Sequence, residues 1–206
     1  MFEPAEKLDF KTTMKPLWNP PEDDFERVDV PELPFVMIDG EGDPNTAPAY
    51  LKAIEWLYSI SYGLKFHSRA QGRDYTVAPL EGLWWADDMA DFAAGRREKW
   101  RWTMMIMQPE WIAHEMYDLA VDRATQKLGP APATLRLERF EEGPAVQILH
   151  VGPYAAEGAT IARLHEDYLP AQGLRARGRH HEIYLGDPRR TAPAKLRTII
   201  RQPIEL

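Results

Sequence analysis

The sequence His180-His181-Glu182-Ile183-Tyr184-Leu185 has the pattern of a short strand, and it is followed directly by a Gly-Asp-Pro turn. Side chains of a strand alternate between two faces, so Glu182 and Tyr184 share one face while Ile183 and Leu185 share the other. The two aliphatic side chains predict a face that packs against helices. We therefore expect Glu182 to point away from the helices, toward either solvent or a cavity. In a cavity, its carboxylate can bind a cation or accept a proton.

The residues before and after this strand predict further strands and helices. The strands are expected at about 33–38, 75–86 (bent at Gly82), 99–107, 133–140, 146–151, 180–185 and 196–201, and the helices at about 46–63, 109–128 and 156–169. A turn at Glu141-Glu142-Gly143 separates the fourth strand from the fifth. From residue 33 onward the order strand-helix-strand-strand (SHS2) occurs twice, which indicates an internal repeat of two such modules.

This order predicts an α+β fold made of two duplicated strand-helix-strand-strand modules related by a pseudo-twofold axis. The sheet is expected to be antiparallel, with the helices on one face. The domain is expected at 33–206, its halves at about 33–107 and 144–203, with a ligand cleft between them. When the two halves are aligned, Glu81 corresponds to Glu182, so Glu81 is a candidate ligand-binding residue. Residues 1–32 contain five prolines and predict an irregular N-terminal arm.

Composition restricts the class of protein. No apolar run approaches the ~18 residues that cross a bilayer, and the N-terminus has no pattern of a secretion signal. We therefore expect a cytoplasmic protein with no membrane partner. The chain has no cysteine, which excludes disulfides, thiol catalysis and Cys-ligated zinc. Its net charge of −7 argues against a nucleic-acid partner and favours a neutral or cationic small-molecule ligand.

Four tryptophans are candidate ligand-binding residues: Trp84 and Trp85 on one predicted strand, and Trp100 and Trp102 on the next. Aromatic side chains at such positions commonly form the core. A shared patch of indoles beside an acid would instead suit a flat or cationic ligand through stacking and cation–π contact. Both interpretations stay open at this stage.

No metal site and no cofactor are expected. His180 and His181 are adjacent in the strand, so they face opposite sides and cannot bind one metal ion together. The other histidines lack the spacing of metal ligands, and no glycine-rich loop fits a phosphate. Monomer and homodimer both remain open as oligomeric states.

Five stretches carry a resemblance to a known family. They are 146–154 (VQILHVGPY) with the strand 181–185 (HEIYL) in the second half, and 35–42 (FVMIDGEG), 79–85 (PLEGLWW) and Gln108-Pro109 in the first. These motifs resemble the GyrI-like small-molecule-binding domain, which also serves as the effector domain of multidrug-sensing transcription activators. The similarity extends over about residues 33–203.

The resemblance implies a cleft in which a buried glutamate meets cationic ligands, and Glu182 is the matching position. Some stand-alone members are similar to hydrolases that open the ring of cyclopropanoid genotoxins, which would make this chain a detoxifying hydrolase with Glu182 as general base. Tyr154 is then either a proton donor in the cleft or a corner residue that packs locally. The alternative is a non-catalytic sensor or drug-sequestering protein that uses the same cleft, with Tyr184 as a further ligand-binding residue.

Overall fold

The computed structural model describes residues 7–88, 91 and 95–205. The helices are α1 (Phe10–Thr13), α2 (Lys15–Trp18), α3 (Pro48–Ala70), α4 (His114–Leu128), α5 (Glu157–Ala162) and α6 (Leu169–Ala171), with a π-helical stretch (Arg163–Tyr168) joining the last two. The strands are β1 (Glu26–Glu41), β2 (Leu80–Trp85), β3 (Arg101–Met107), β4 (Arg136–Val151), β5 (Arg175–Ala176), β6 (His180–Tyr184) and β7 (Arg197–Glu205).

The chain folds into two compact units. Unit 1 comprises the N-terminal residues up to Thr13 together with 33–78 and 85–140. Unit 2 comprises 14–32, 79–84 and the residues from 141 onward. The strands β1 and β4 each pass from one unit into the other, and most of β2 belongs to unit 2.

Unit 1 is built on an antiparallel pair of strands, with α3 packed on β3 and α4 packed on α3. β1 pairs with β3 from Phe35 opposite Met107 to Glu41 opposite Arg101. Gly40 faces Trp102 in this register, and a Cβ atom at Gly40 would overlap the indole ring. The glycine therefore makes the space that a core tryptophan fills.

Helix α3 is longer than the sequence predicts. It continues through Gly63 and ends at Ala70. A Cβ atom built on Gly63 would lie 3.5 Å from the Cβ of Ala120 in α4, so the glycine sits where the two helices approach closely. Burial of the apolar face of α3, which includes Trp56 and Ile60, outweighs the weak helix propensity of one glycine.

Unit 2 contains β4 paired with β7, β7 paired with β6 and β5, and β6 paired with β2. Each of these registers is antiparallel. One face carries an apolar cluster that includes Val146 and Ile148 of β4, Ile200 of β7, and Leu164 and Leu169 of the helical segment 157–171. The helical segment therefore covers this face of the sheet.

The fold class is confirmed as α+β with antiparallel strand pairing. The order β1–α3–β2–β3 is repeated by β4–α5–β6–β7, as the sequence predicts. The predicted borders of several strands were wrong, most of all at β1 and β4. β1 begins at Glu26 rather than near residue 33, so the arm is shorter than 1–32. β4 runs without a break through the predicted turn, and Gly143 inside it adopts a φ of +68°.

The predicted orientation of Glu182 relative to the helices was also wrong. Glu182 lies opposite Ile200 in the β6–β7 register, and opposing residues of paired strands share a face. Ile200 packs in the cluster under the helical segment, so Glu182 faces that segment too. Ile183 and His181 lie on the other face and are each 1% exposed. Both faces of β6 are covered, which alternation alone does not reveal.

None of the helices among the described residues is both long and apolar enough to cross a membrane.

Candidate functional site

The carboxylate of Glu182 is held by hydrogen bonds from its own strand. The hydroxyl of Tyr184 donates to Oε2 of Glu182 over 2.7 Å. The Nε2 atom of His180 lies 3.2 Å from Oε1 of the same carboxylate. These three side chains share one face of β6, as the alternation of the strand predicts, and the side chain of Glu182 is 16% exposed. A fixed, partly accessible carboxylate is suited to bind a cation or to activate water.

Two further aromatic side chains join this face. The indole nitrogen of Trp84 in β2 donates to the hydroxyl of Tyr184 over 3.0 Å. The ring of Tyr154 meets the ring of Tyr184 edge to face, with centroids 5.6 Å apart. Tyr154 is 38% exposed and precedes α5, whereas Trp84 is buried. Tyr154 is therefore the exposed member of this aromatic cluster, and Trp84 is its buried member, which hydrogen-bonds to Tyr184.

Glycine occupies the position across from the carboxylate. Gly82 of β2 lies directly opposite Glu182 in the β2–β6 register. Trp84 lies opposite His180, two residues along the same face. Because Gly82 has no side chain, β2 presents no side chain directly opposite Glu182, and Leu80 and Trp84 flank this position on the same face of β2.

A second carboxyl group lies close to Glu182. Glu157, the first residue of α5, is 4% exposed. Burial, assisted by the negative charge of Glu182 and opposed by a smaller effect of the Thr198 hydroxyl, raises the pKa of Glu157 from 4.5 to about 8. Glu157 thus retains its proton at neutral pH.

Two neighbouring acids in different protonation states can perform two different tasks. A protonated carboxyl donates a proton, and an ionised one accepts a proton or stabilises positive charge. The site therefore contains an acid and a base within one buried face.

The opposite face of the same strands contains a charged network. Nδ1 of His181 lies 2.9 Å from Oε1 of Glu142, and Nε2 lies 3.0 Å from Oε2 of Glu81. Burial disfavours the imidazolium, but the two carboxylates outweigh it and raise the pKa of His181 to about 9. In that state both ring nitrogens donate.

Arg201 completes this network. Its Nη1 donates to Glu142 over 3.1 Å, its Nε to Gln147 over 3.0 Å, and its Nη2 to the carbonyl of Leu17 over 2.7 Å. Burial opposes the charge of Glu142, but His181 and Arg201 hold the pKa of Glu142 down at about 2. Two cations thus balance two carboxylates inside unit 2, and the network ties β7 to the segment that contains α2.

The remaining predicted tryptophans belong to unit 1. Trp102 is 1% exposed and packs edge to face on Tyr50, with centroids 5.4 Å apart, so it is a core residue of that unit. Trp100 is half-buried, and the guanidinium of Arg97 lies 5.6 Å from its ring centroid. Trp85 is half-buried and follows Trp84 in β2, so its side chain alternates to the other face of that strand.

The structure brings together Glu182, Tyr184, Tyr154 and Trp84 out of the predicted site residues. Glu81 is not among them, because it lies on the opposite face of β2 and pairs with His181. Sequence reasoning missed Glu157. The one available signal was an acid three residues after Tyr154 at the start of a helix, a spacing that puts both on one side.

Among residues 7–88, 91 and 95–205, the His, Asp and Glu side chains form no group of three that could hold a metal ion.

Comparisons with known proteins identify the family. A model of the GyrI-like small molecule binding domain matches residues 23–205. A crystal structure of an uncharacterized conserved protein from Listeria innocua is 39% identical, with a TM-score of 0.86 over 97% of this chain and 100% of that one. A hydrolase from Listeria innocua is 37% identical, with a TM-score of 0.82 over 97% of this chain and 100% of that one.

More distant structures share the fold alone. The C-terminal domain of EcmrR is 12% identical, with a TM-score of 0.59 over 88% of this chain and 97% of that domain. No curated protein sequence matches this chain. The match over residues 23–205, together with the two similar Listeria innocua proteins, shows that this chain belongs to the GyrI-like family of small-molecule-binding domains.

Proposed function

We propose that this protein binds flat, bulky, hydrophobic or cationic small molecules at the Glu182 face of β6 and hydrolyses electrophilic ones, with cyclopropanoid genotoxins as the substrate class. One observation carries the proposal. The Glu182 carboxylate, held by Tyr184 and His180, acts through its charge on Glu157, a carboxyl that keeps its proton at neutral pH. A base and an acid in one site are what the addition of water to a strained ring requires.

The reaction balances with water as the only co-reactant. Glu182 takes a proton from water while the water oxygen forms a bond to a cyclopropane carbon. The strained carbon–carbon bond breaks, and its electron pair moves into the carbonyl that is conjugated to the ring. Glu157 gives its proton to that carbonyl oxygen. The product contains one added water, and proton exchange with solvent returns both carboxyls to their initial states.

Aromatic side chains would orient the substrate. Tyr154 is the accessible ring of the cluster, and it meets Tyr184, which in turn holds Glu182. Stacking of a flat ligand on Tyr154 would place its electrophilic carbon near the carboxylate, and such orientation supplies a large part of the rate in reactions of this type. The hydrolase from Listeria innocua, 37% identical over nearly the whole chain, supports an enzymatic role.

Ligand sensing or sequestration without turnover is the second candidate. A carboxylate beside exposed aromatic rings also attracts lipophilic cations through ion pairing and cation–π contact. Glu182 has both features, since Tyr184 donates a hydrogen bond to it and the exposed ring of Tyr154 meets the ring of Tyr184. Under this alternative, Glu157 would only adjust the charge of the site.

Turnover of a cyclopropanoid alkylating agent separates the two candidates. The wild-type protein should convert the compound to its water adduct, detected by mass spectrometry. Glu182→Gln keeps the shape of the side chain and removes its basicity, so it should lower turnover by about 10²–10⁴-fold. Glu166→Gln, a change at an exposed acid of the π-helical stretch, is the matched control and should retain wild-type activity.

The possible results are distinct. A compound that binds to the wild type and stays chemically unchanged over many hours would support the sensor. Equal turnover by wild type and Glu182→Gln would remove Glu182 from the mechanism. A Glu182→Gln variant that keeps its melting temperature but loses only cation affinity would assign the carboxylate to binding.

A further inference from the structure

Helix α3 carries a row of three aromatic side chains, of which Tyr62 and Phe66 are exposed and Tyr58 is half-buried. Tyr58, Tyr62 and Phe66 follow one another at four-residue spacing, and their rings are stacked with centroids 6.3 and 6.2 Å apart. Tyr62 is 46% exposed and Phe66 is 58% exposed. Both belong to unit 1, whereas the residues of the Glu182 face belong to unit 2. An ordered stripe of exposed aromatic rings on a long helix is typical of a protein–protein contact.

The stripe is symmetric about Tyr62. Tyr58 and Phe66 lie four residues before and after it, and Glu55 and Arg69 lie seven residues before and after it. Residues that are four or seven positions apart lie on the same side of a helix, so all five side chains share one face. Both charged residues are exposed. Aromatic side chains therefore lie at equal distances on both sides of Tyr62, whereas the two charged side chains, Glu55 and Arg69, have opposite signs.

We propose that this face binds a second copy of the same chain, with two α3 helices packed antiparallel about a twofold axis at Tyr62. A twofold contact pairs each residue with its mirror position in the partner. Tyr58 would then meet Phe66 of the partner subunit, Tyr62 would meet its own equivalent, and Glu55 would meet the opposite charge of Arg69. Self-complementary charge is the reason why a second copy fits this face better than an unrelated partner.

The neighbouring surface extends the contact. Leu51 is 68% exposed one turn before Glu55, and Leu119 is 47% exposed on α4 beside Ala120, the residue that Gly63 approaches. α3 is long enough for the pairing because its 23 residues span about 34 Å at the rise of an α-helix. Antiparallel helices also place the N-terminus of one α3 beside the C-terminus of the other, which suits their dipoles.

The oligomeric state tests the proposal. Sedimentation velocity over a range of protein concentrations should give a monomer–dimer equilibrium in the micromolar range. Phe66→Glu should shift the equilibrium toward the monomer. The twofold axis creates two equivalent positions in the interface, and at each one the variant puts a carboxylate opposite the partner's Tyr58. Val151→Glu, a change at a 42% exposed residue of unit 2, is the control and should leave the equilibrium unchanged. A wild type that stays monomeric at millimolar concentration would overturn the proposal.

A charge exchange tests the pairing itself. Glu55→Arg and Arg69→Glu each place like charges opposite one another twice per dimer, so each should weaken dimerisation by about tenfold. The double variant restores opposite charges and should regain the wild-type dissociation constant. If the double variant is weaker than both single variants, the helices do not pair in this register.

The absence of cysteine gives a test of the axis. The sequence contains no cysteine, so Tyr62→Cys supplies the single thiol of the chain. A residue at the twofold axis lies close to its own equivalent, and mild oxidation should link two chains covalently. Leu119→Cys, which lies off the axis, should link to a much smaller extent. Equal linkage of both variants would place the axis elsewhere.

Discussion

The hydroxyl of Tyr184 connects two partners, because it accepts a hydrogen bond from the indole of Trp84 over 3.0 Å and donates one to Glu182 over 2.7 Å. Tyr184→Phe removes both bonds and keeps the ring that meets Tyr154. A hydrogen bond to a charged group contributes about 1.5–3 kcal/mol. We expect the variant to lose about 10–150-fold in turnover or in cation affinity, measured by mass spectrometry or calorimetry. Tyr168→Phe, whose ring packs on Phe25, is the control and should retain activity.

Glu157 should make both activity and stability depend on pH. Its pKa is raised from 4.5 to about 8, so in this interval the native protein binds a proton that the unfolded chain has released. The free energy of unfolding therefore falls as pH rises from about 4.5 to 8 and changes no further above that value. Glu157→Gln removes the buried charge, so its stability relative to wild type should increase across the same interval. Urea unfolding at a series of pH values measures the difference.

Activity should respond to the same proton. If Glu157 is the acid of the reaction, turnover by the wild type should decline as pH rises through about 8, because the proton is lost there. Glu157→Gln should be about 10²–10⁴-fold slower at neutral pH and should lack this decline. A wild type whose turnover is flat from pH ~7 to ~9 would exclude the role.

Local patterns in the sequence were sufficient for some features of the site. The two-residue alternation of β6 predicts that Glu182 and Tyr184 share a face, and it holds because a short strand leaves little freedom. The repeated order of strands and helices is likewise a property of local periodicity. These features depend on neighbours in the sequence.

Other features depend on contacts between distant residues. Glu157 approaches Glu182 only after the helical segment packs on β6 and β7, and no spacing in the chain records that approach. The sequence Glu141-Glu142-Gly143 has turn composition, yet Glu142 is buried against His181 and Arg201, and Gly143 tolerates the φ of +68° inside β4. The negative charge of Glu142 is balanced by His181 and Arg201, which lie 39 and 59 positions away in the sequence. Local sequence patterns do not reveal such distant partners.

Gly40 provides a test of the unit 1 core. A Cβ atom at this position would overlap the ring of Trp102, which is 1% exposed and has no room to move. Gly40→Ala should destabilise the protein by about 1–3 kcal/mol, the usual scale of overpacking. Gly158→Ala is the matched change, because a Cβ there meets nothing within 4 Å and the residue is in α5. It should stabilise by about 0.5–1 kcal/mol, and thermal melting compares the two.

The buried network of His181 should set the alkaline limit of stability. Its pKa is raised from 6.5 to about 9, so its favourable contribution is fully present below about pH 6.5 and is lost as pH rises to about 9. His181→Gln leaves the carboxylates of Glu81 and Glu142 buried without the imidazolium between them. Removing one partner of such a network destabilises proteins by about 3–5 kcal/mol. We expect a loss of this size at about pH 6.

The pH dependence of that loss distinguishes charge from packing. As pH rises toward 9, the wild-type imidazole loses its proton, so the difference between wild type and His181→Gln should narrow. A loss caused only by altered packing would stay constant over the same range. His114→Gln, at an exposed position in the first turn of α4, is the control and should match the wild type at every pH. A constant gap between wild type and His181→Gln would show that the histidine is neutral in the native protein and that Arg201 alone balances Glu142.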